Sequence, residues 1–358
     1  MIPTYTYKQC TESYNKEILQ ITESISLGTG LKLIFTARPS IFDALRALGD
    51  KSQVFGVFHN NSLAGFGAVT TQERYLNGLP KKICYLSTLR LLPAHRGKGL
   101  TSKGFKFLKR QPLGAHIFMA SLINSSKLAF RILMQQRRDY PTFYPIGEIE
   151  TRLIFLRKGN SNGKSPTIEV NSLKPSESAA ALQFLRSQGK HKHFFLRYTT
   201  LRNLNLSSKD YVAARQDGKI IGLCAIWDQR PFKQIIVKSY GLFAPVVALY
   251  NHLPFKTTSN LPKSGEQLNL AYVSHLVVNN NNPDVLQAML SHIEKNYSSK
   301  LPFLAIGLHS QDPLCAALAN FRGIKYKSTL FIAAWDKKRL LKAEKLRHSL
   351  FYPEISSM

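Results

Sequence analysis

Six consecutive residues, Arg96-Gly97-Lys98-Gly99-Leu100-Thr101, carry the clearest chemical signal in the chain. Two glycines one residue apart let a backbone come close to a ligand. A helix that starts just after them offers unpaired N–H groups and the positive end of its dipole. With Arg96 and Lys98 alongside, such a turn is suited to cradling phosphate. It is neither the dinucleotide fingerprint G-x-G-x-x-G nor the P-loop G-x-x-x-x-G-K-[ST]. Arg-Gly-Lys-Gly also arises by chance in basic chains, so its surroundings must decide. Residues 74–138 contain 14 basic residues and no Asp or Glu, a field that suits a ligand bearing several phosphates.

The elements that must hold this loop are an apolar strand over 85–92 and an amphipathic helix over 100–110, with Leu100, Phe105 and Leu108 on its buried side. The strand belongs to an internal repeat. Residues 54–73 align with 211–230 at an offset of 157, each reading strand, polar turn, strand, with Gly65 over Gly222. Residues 85–91 (YLSTLRL) align with 272–278 (YVSHLVV) at an offset of 187, so the second copy carries about thirty extra residues around 231–267. A third pair, 118–122 and 304–308, reads as buried strand, followed by short helices at 125–136 and 313–321. This organisation predicts an α/β (α+β) protein of two tandem domains, 1–158 and 167–336, each a mixed, mostly antiparallel sheet flanked by helices. The Gly/Ser/Asn-rich segment 158–166 is the expected linker, and 337–358 the expected basic C-terminal tail.

Composition agrees with a folded chain of this size. The 358 residues are 44% hydrophobic and 20% charged, enough apolar surface to offset chain entropy. Net charge is +28, divided evenly at +14 on either side of Lys158. Such a field attracts nucleic acid, anionic membrane or acidic small molecules. Cys10, Cys84, Cys224 and Cys315 are far apart with no CxxC pair, so no zinc site or disulfide framework is expected. No stretch is apolar enough to span a bilayer, and no secretion signal is legible. The expectation is a cytoplasmic protein with no membrane partner and no metal.

With these residues in place, the first copy resembles the GNAT superfamily of acyl-coenzyme A N-acyltransferases. The signature [RQ]-x-x-G-x-[GA] after an apolar strand ending in Pro reads here Leu89-Arg90-Leu91-Leu92-Pro93, then Arg96 to Thr101, with Thr101 where the family has Gly or Ala. The resemblance implies that the N–H groups of Arg96, Gly97, Lys98, Gly99, Leu100 and Thr101 hold a coenzyme A pyrophosphate. It implies also that the backbone of Leu89, Arg90 and Leu91 meets the pantetheine arm and acyl carbonyl. Asn124 matches an Asn common after the next strand. In the second copy Pro283 and Asp284 stand in place of the Arg and Gly, which implies a degenerate domain that binds no cofactor. The implied activity is transfer of an acetyl or other acyl group from acetyl-CoA to an amine on a small molecule or peptide, an acidic acceptor suiting the charge.

Acyl transfer to an amine needs a proton acceptor, donors for the developing oxyanion, and an acid for the leaving thiolate. Glu73 is the nearest carboxylate before the motif strand and the first candidate base, although it also reads as a solvated hairpin charge. Asp139, Glu148 and Glu150 come after the motif. The family's Tyr seven residues after the Asn is replaced by Arg131, leaving Tyr140 and Tyr144 as substitute acids, with Pro141 and Pro145 arguing that the rings are structural anchors. His95 and His116 read as structural or surface groups. His275 and the turn 309–312 are candidates for the acceptor pocket, or for capping and surface hydrogen bonds.

Two rival readings differ in class. The charge could serve a nucleic-acid-binding module, but no such motif is present and basic residues do not alternate with aromatics, so nucleic acid is not the expected partner. A coenzyme A-binding sensor without turnover is favoured by the absent tyrosine. The acceptor and the oligomeric state are not legible, and the segment 231–267 reads either as a lid over the site or as a surface elaboration.

Overall fold

A computed structural model describes residues 4–28, 30–135, 137, 139–157, 167–253, 258–336, 338, 340 and 349–358. The linker expected at 158–166 lies outside the described residues. The first half runs β1 (Tyr5–Cys10), α1 (Asn15–Ser24), β2 (Lys32–Thr36), α2 (Ile41–Leu48), β3 (Lys51–His59), β4 (Ser62–Leu76), β5 (Leu79–Leu91), α3 (Leu100–Leu108), β6 (Phe118–Ile123), α4 (Lys127–Leu133) and β7 (Thr142–Phe155). The second half runs β8 (Glu169–Ser172), α5 (Ser178–Gly189), β9 (Tyr211–Gln216), β10 (Lys219–Trp227), β11 (Gln234–Ser239), α6 (Ala244–His252), β12 (Leu270–Val278), α7 (Pro283–Tyr297), β13 (Phe303–His309) and β14 (Gly323–Ala334).

Twelve strands form one sheet in the order β1-β3-β4-β5-β6-β14-β7-β13-β12-β10-β9-β8. Only β5–β6 and β12–β13 pair in parallel; the other neighbours are antiparallel. The last strand of each half is exchanged. β14 lies between β6 and β7, and β7 lies between β14 and β13, so neither half completes its sheet alone. β2 and β11 make a separate two-stranded ribbon joining the halves, and Gln234 and Arg38 bond each other through side chain and backbone in both directions.

Alternating apolar residues on the strands and one apolar stripe on each main helix bury the core on both faces of the sheet. One cluster draws on both halves, with Ile18, Leu45, Phe58 and Phe66 against Leu185, Tyr211 and Trp227. Phe331 of β14 is fully buried in the first half's cluster beside Phe130 and Phe143. Each such side chain is worth roughly 1.5–3 kcal/mol of burial, so the exchanged strand contributes directly to the first half's stability.

Arg74 of β4 is fully buried. Its guanidinium donates to Gln72 Oε1 at 2.9 and 2.7 Å and to the Phe194 carbonyl at 2.5 Å, while burial draws its pKa down to about 10. Gln72 Nε2 in turn donates to the carbonyls of Leu48 and Ser357. The network therefore fastens the chain's last residues to the first half. Residues 349–358, grouped with the basic tail by their place in the sequence, are largely buried, with Phe351 and Ser356 fully so.

Candidate active site

β5 and β6 are paired only at Cys84–Phe118 and Tyr85–Met119. Beyond that point β5 continues for six residues against β4 alone, and β6 turns to β14, so the two strands part and leave a fork in the sheet. At its edge β5 carries a bulge. Phe66 pairs with Arg90 and Ala68 with Ser87, two steps on β4 against three on β5, and Thr88 takes up a positive φ of 52°. A bulge re-aims the side chains and backbone of one strand, which is why such features gather at sites.

The loop that ends this strand is Arg96 to Gly99. Gly97 and Gly99 both lie at positive φ, 77° and 68°, and a Cβ built on either meets nothing within 4 Å. The glycines thus answer a backbone requirement while leaving open space above the turn. Leu100, Phe105 and Leu108 bury their side chains and fix α3, as its periodicity predicts, and no side chain caps its first turn. Arg96 Nε donates to the Leu91 carbonyl at 3.1 Å. Lys98 reaches the Tyr5 hydroxyl, which bonds His95 Nδ1 at 2.9 Å beside the His59 ring. Burial, with His59 and Lys98 nearby, holds the His95 ring below the usual imidazole range. Beside the fork, Ser87 Oγ, Thr88 Oγ1 and Arg90 Nε are buried with no hydrogen-bond partner among the described residues, and burial draws the Arg90 guanidinium below its ordinary range. Orphaned polar atoms are costly unless something satisfies them. Their position along the strand that leaves β6 fits a polar, anionic ligand entering the fork, and the open glycine turn at its end fits that ligand's phosphates.

The second half repeats this geometry with a different outcome. β12 and β13 pair in parallel from Leu270–Phe303 to Tyr272–Ala305 and then separate. A bulge falls at His275, φ 54°, the residue 187 positions after Thr88, with Leu223–Val277 and Ala225–Ser274 on either side. Here the chain itself enters the fork. The His275 N–H donates to Glu354 Oε2 at 2.8 Å, and the hydroxyls of Ser274 and Ser356 are 2.9 Å apart. Gly307 faces Ile355 so closely that a Cβ would lie 2.2 Å from it. What remains is a cavity of about 30 Å³ bordered by Phe195, His309 and Phe351, space on the scale of a water molecule. The helix that follows differs too. Asn282 Oδ1 accepts the Asp284 N–H, and Pro283 stands at the first position, so the first turn of α7 is capped by its own chain.

The other expected residues are dispersed. Leu89 is exposed, and Arg90 and Leu91 are half-buried along β5. Asn124 spends both ends of its amide on the strands beside it: Nδ2 donates to Glu148 at 2.7 Å and Oδ1 accepts from Thr329 at 2.8 Å. Lys327 beside Glu148 holds that carboxyl below the usual range. Glu73 lies opposite Lys82, three residues along β4 from Thr70, the residue level with the fork's apex, or about 10 Å. It pairs with Arg197 at 2.5 Å, and its carbonyl accepts the Arg197 N–H. Tyr140 is buried edge-on against Phe105, 4.8 Å between ring centres, and burial raises its hydroxyl pKa. Tyr144 sits on β7 opposite Ile332, half-buried. His275 is a buried mid-strand residue of β12, neither a cap nor a surface group. Among the described residues no group of three or more His, Cys, Asp or Glu could hold a metal, and no helix is long and apolar enough to cross a membrane. Ser87, Thr88 and Glu354 had no distinguishing local signal. Their significance comes from a bulge and a chain crossing that involve partners far away in sequence.

No protein-family model matches the chain, and no curated protein matches it in sequence. Solved structures do. An N-myristoyltransferase from Saccharomyces cerevisiae, solved with bound myristoyl-CoA, superposes with a TM-score of 0.59 at 10% identity, over 93% of this chain and 83% of that one. A GCN5-related N-acetyltransferase from Sphaerobacter thermophilus superposes at 0.53 and 12% identity, over 92% and 95%. Another from Anabaena variabilis gives 0.54 at 11%, over 95% and 75%. The chain has the GNAT fold.

Proposed function

We propose that this chain is an acyl-coenzyme A dependent N-acyltransferase whose first half holds the acyl donor between β5 and β6. The observation that carries the reading is the contrast between the two forks. One bulge lies beside orphaned polar atoms and ends in an uncapped glycine turn, whereas the N–H of the equivalent bulge is bound to the carboxylate of Glu354. The N–H that donates to a carboxylate oxygen in one half corresponds to the N–H that would donate to an acyl oxygen in the other.

Bound acyl-coenzyme A would supply the activated thioester. The N–H groups of Gly97 to Thr101 and the start of α3 would face its pyrophosphate, and Arg96 and Lys98 would add charge. The backbone from Thr88 to Leu91 would line the pantetheine arm, with Ser87 and Arg90 offering the donors now left over. The Thr88 N–H, at the bulge, would polarise the acyl carbonyl. Glu73 is proposed as the base that takes the ammonium proton, through water, from an amine arriving at the apex of the fork. Its bond to Arg197 sets its orientation and couples it to the second half. Tyr144 is retained as the thiolate's acid in preference to the buried Tyr140. The duplicated second half, its fork filled by residues 351–356, is proposed to bind no cofactor and to build the acceptor side.

Isothermal titration with acetyl-coenzyme A, followed by a thiol-release screen against small-molecule and peptide amines, tests this reading. One site per chain and turnover with an amine support it. Binding without turnover across the screen would favour a coenzyme A sensor, for which Arg131 in place of the expected tyrosine speaks. No binding would end the proposal.

A further inference from the structure

The segment between β11 and β12 carries a surface that the fold leaves unused. Residues 241–243 form one turn that runs into α6, and no residue of either is buried. α6 contains no Asp, Glu, Lys or Arg. Leu242 is 95% exposed, Leu249 68%, Val246 63%, Phe243 59% and Leu253 48%. Leu242, Val246, Leu249 and Leu253 are spaced four, three and four residues apart, so they fall along one stripe of the helix, with Phe243 at its edge. The opposite side is moored by Asn251, whose amide bonds Leu261 through both its N–H and its oxygen, and the flank by Tyr250, whose hydroxyl bonds that of Thr258. The apolar stripe is therefore presented outward on a fixed support. Single exposed leucines are ordinary; a contiguous row of five large apolar groups is the mark of an interaction surface.

Charge selects the occupant. The chain carries +28 overall, and the ribbon leading into the turn ends in exposed Lys32 and Lys238, with exposed Lys263 on the return. Glu266, whose carboxylate accepts the Lys263 N–H, is the acidic group on that return. A short, uncharged helix with an outward apolar stripe and a basic surround has the properties of an element that lies in the headgroup layer of an anionic bilayer. Neither a second strongly basic copy of this chain nor a basic partner would be drawn to it.

We propose that α6 and the preceding turn dock the protein on anionic lipid surfaces, Leu242, Val246 and Leu249 entering the layer while the surrounding lysines meet the headgroups. This replaces the expectation that the chain has no membrane partner. It adds an interfacial mode, not a span, and stands apart from the acyltransferase reading.

Flotation of the full chain with vesicles tests it, using phosphatidylcholine alone and phosphatidylcholine with about one third phosphatidylglycerol, at about 0.1 and 0.5 M salt. The expected result is binding to the anionic vesicles only, weakened by salt. The variant L242S/V246S/L249S should bind at least roughly tenfold more weakly, since burying one such side chain is worth about tenfold or more. These side chains are exposed, so the variant should keep the wild-type melting temperature. Four results overturn the proposal: no vesicle binding, equal binding to neutral vesicles, undiminished binding of the triple variant, or concentration-dependent self-association that the triple substitution abolishes.

Discussion

Replacing Gly97 or Gly99 by alanine separates what the backbone needs from what a ligand needs. Both residues sit at positive φ, and an added Cβ meets no protein atom within 4 Å. The folded protein therefore loses only the conformational penalty of an L-residue in the left-handed region, about 1–2 kcal/mol at each site. The cost to a ligand is different. If phosphates approach those N–H groups, a Cβ on the open side displaces them, and each charge-assisted hydrogen bond lost is worth roughly 1.5–3 kcal/mol, or about tenfold to 100-fold in affinity. Gly114 supplies the control, since it lies at φ 74° with nothing within 4 Å and is outside the loop. Melting temperature and calorimetric Kd for coenzyme A, measured on G97A, G99A and G114A, give the comparison. All three should lose similar stability, and only the first two should lose affinity. Equal Kd values across the three variants would refute the cradle.

Four further outcomes follow from the same geometry. Glu73→Gln should lower kcat/KM by roughly 10²-fold and change the pH-rate profile; a role confined to the Arg197 ion pair would instead lower the melting temperature and leave the profile unchanged. His275 is buried among Tyr198, Tyr211 and Trp227, and burial lowers its pKa to about 3. The neutral ring's contribution is complete above the unfolded pKa near 6.5 and is lost as pH falls toward 3, so by pH 5 about 2 kcal/mol should be gone. Denaturant midpoints for wild type and His275→Gln between pH 7 and 5 check this, and an equally steep decline in both would assign it elsewhere. Phe351→Ala should cost about 3–5 kcal/mol in urea unfolding because the ring is fully buried; a change under about 0.5 kcal/mol would show that the terminal segment is not packed as described. Calorimetric titration should give one coenzyme A per chain, and two would mean that residues 351–356 leave the second fork.

Local features were legible in the sequence, and features made by distant partners were not. The glycine turn, the burial of Leu100, Phe105 and Leu108, and the two strand pairs 54–73 and 211–230 follow from spacing within a single element. The exchange of β7 and β14 left no local trace, since each strand has the same alternation whichever neighbour it pairs with. The burial of 349–358 was hidden for a related reason: the segment earns its place through Glu354 and Ser356 meeting His275 and Ser274, some eighty residues away. Thr88 and His275 carry positive φ although neither is a residue that announces a bulge. The insertion 231–267 was recognisable by length, but whether its apolar residues faced inward or outward was set by packing against β2 and by the Asn251 anchor.

The most direct test of the account is a crystal structure of the full chain grown with coenzyme A. The pyrophosphate should lie against the N–H groups of Gly97 to Thr101 and the pantetheine arm between β5 and β6, near Ser87, Thr88 and Arg90, with residues 351–356 still seated between β12 and β13. Density for the ligand in the second fork with that segment displaced, or anywhere away from β5, would contradict the central claim.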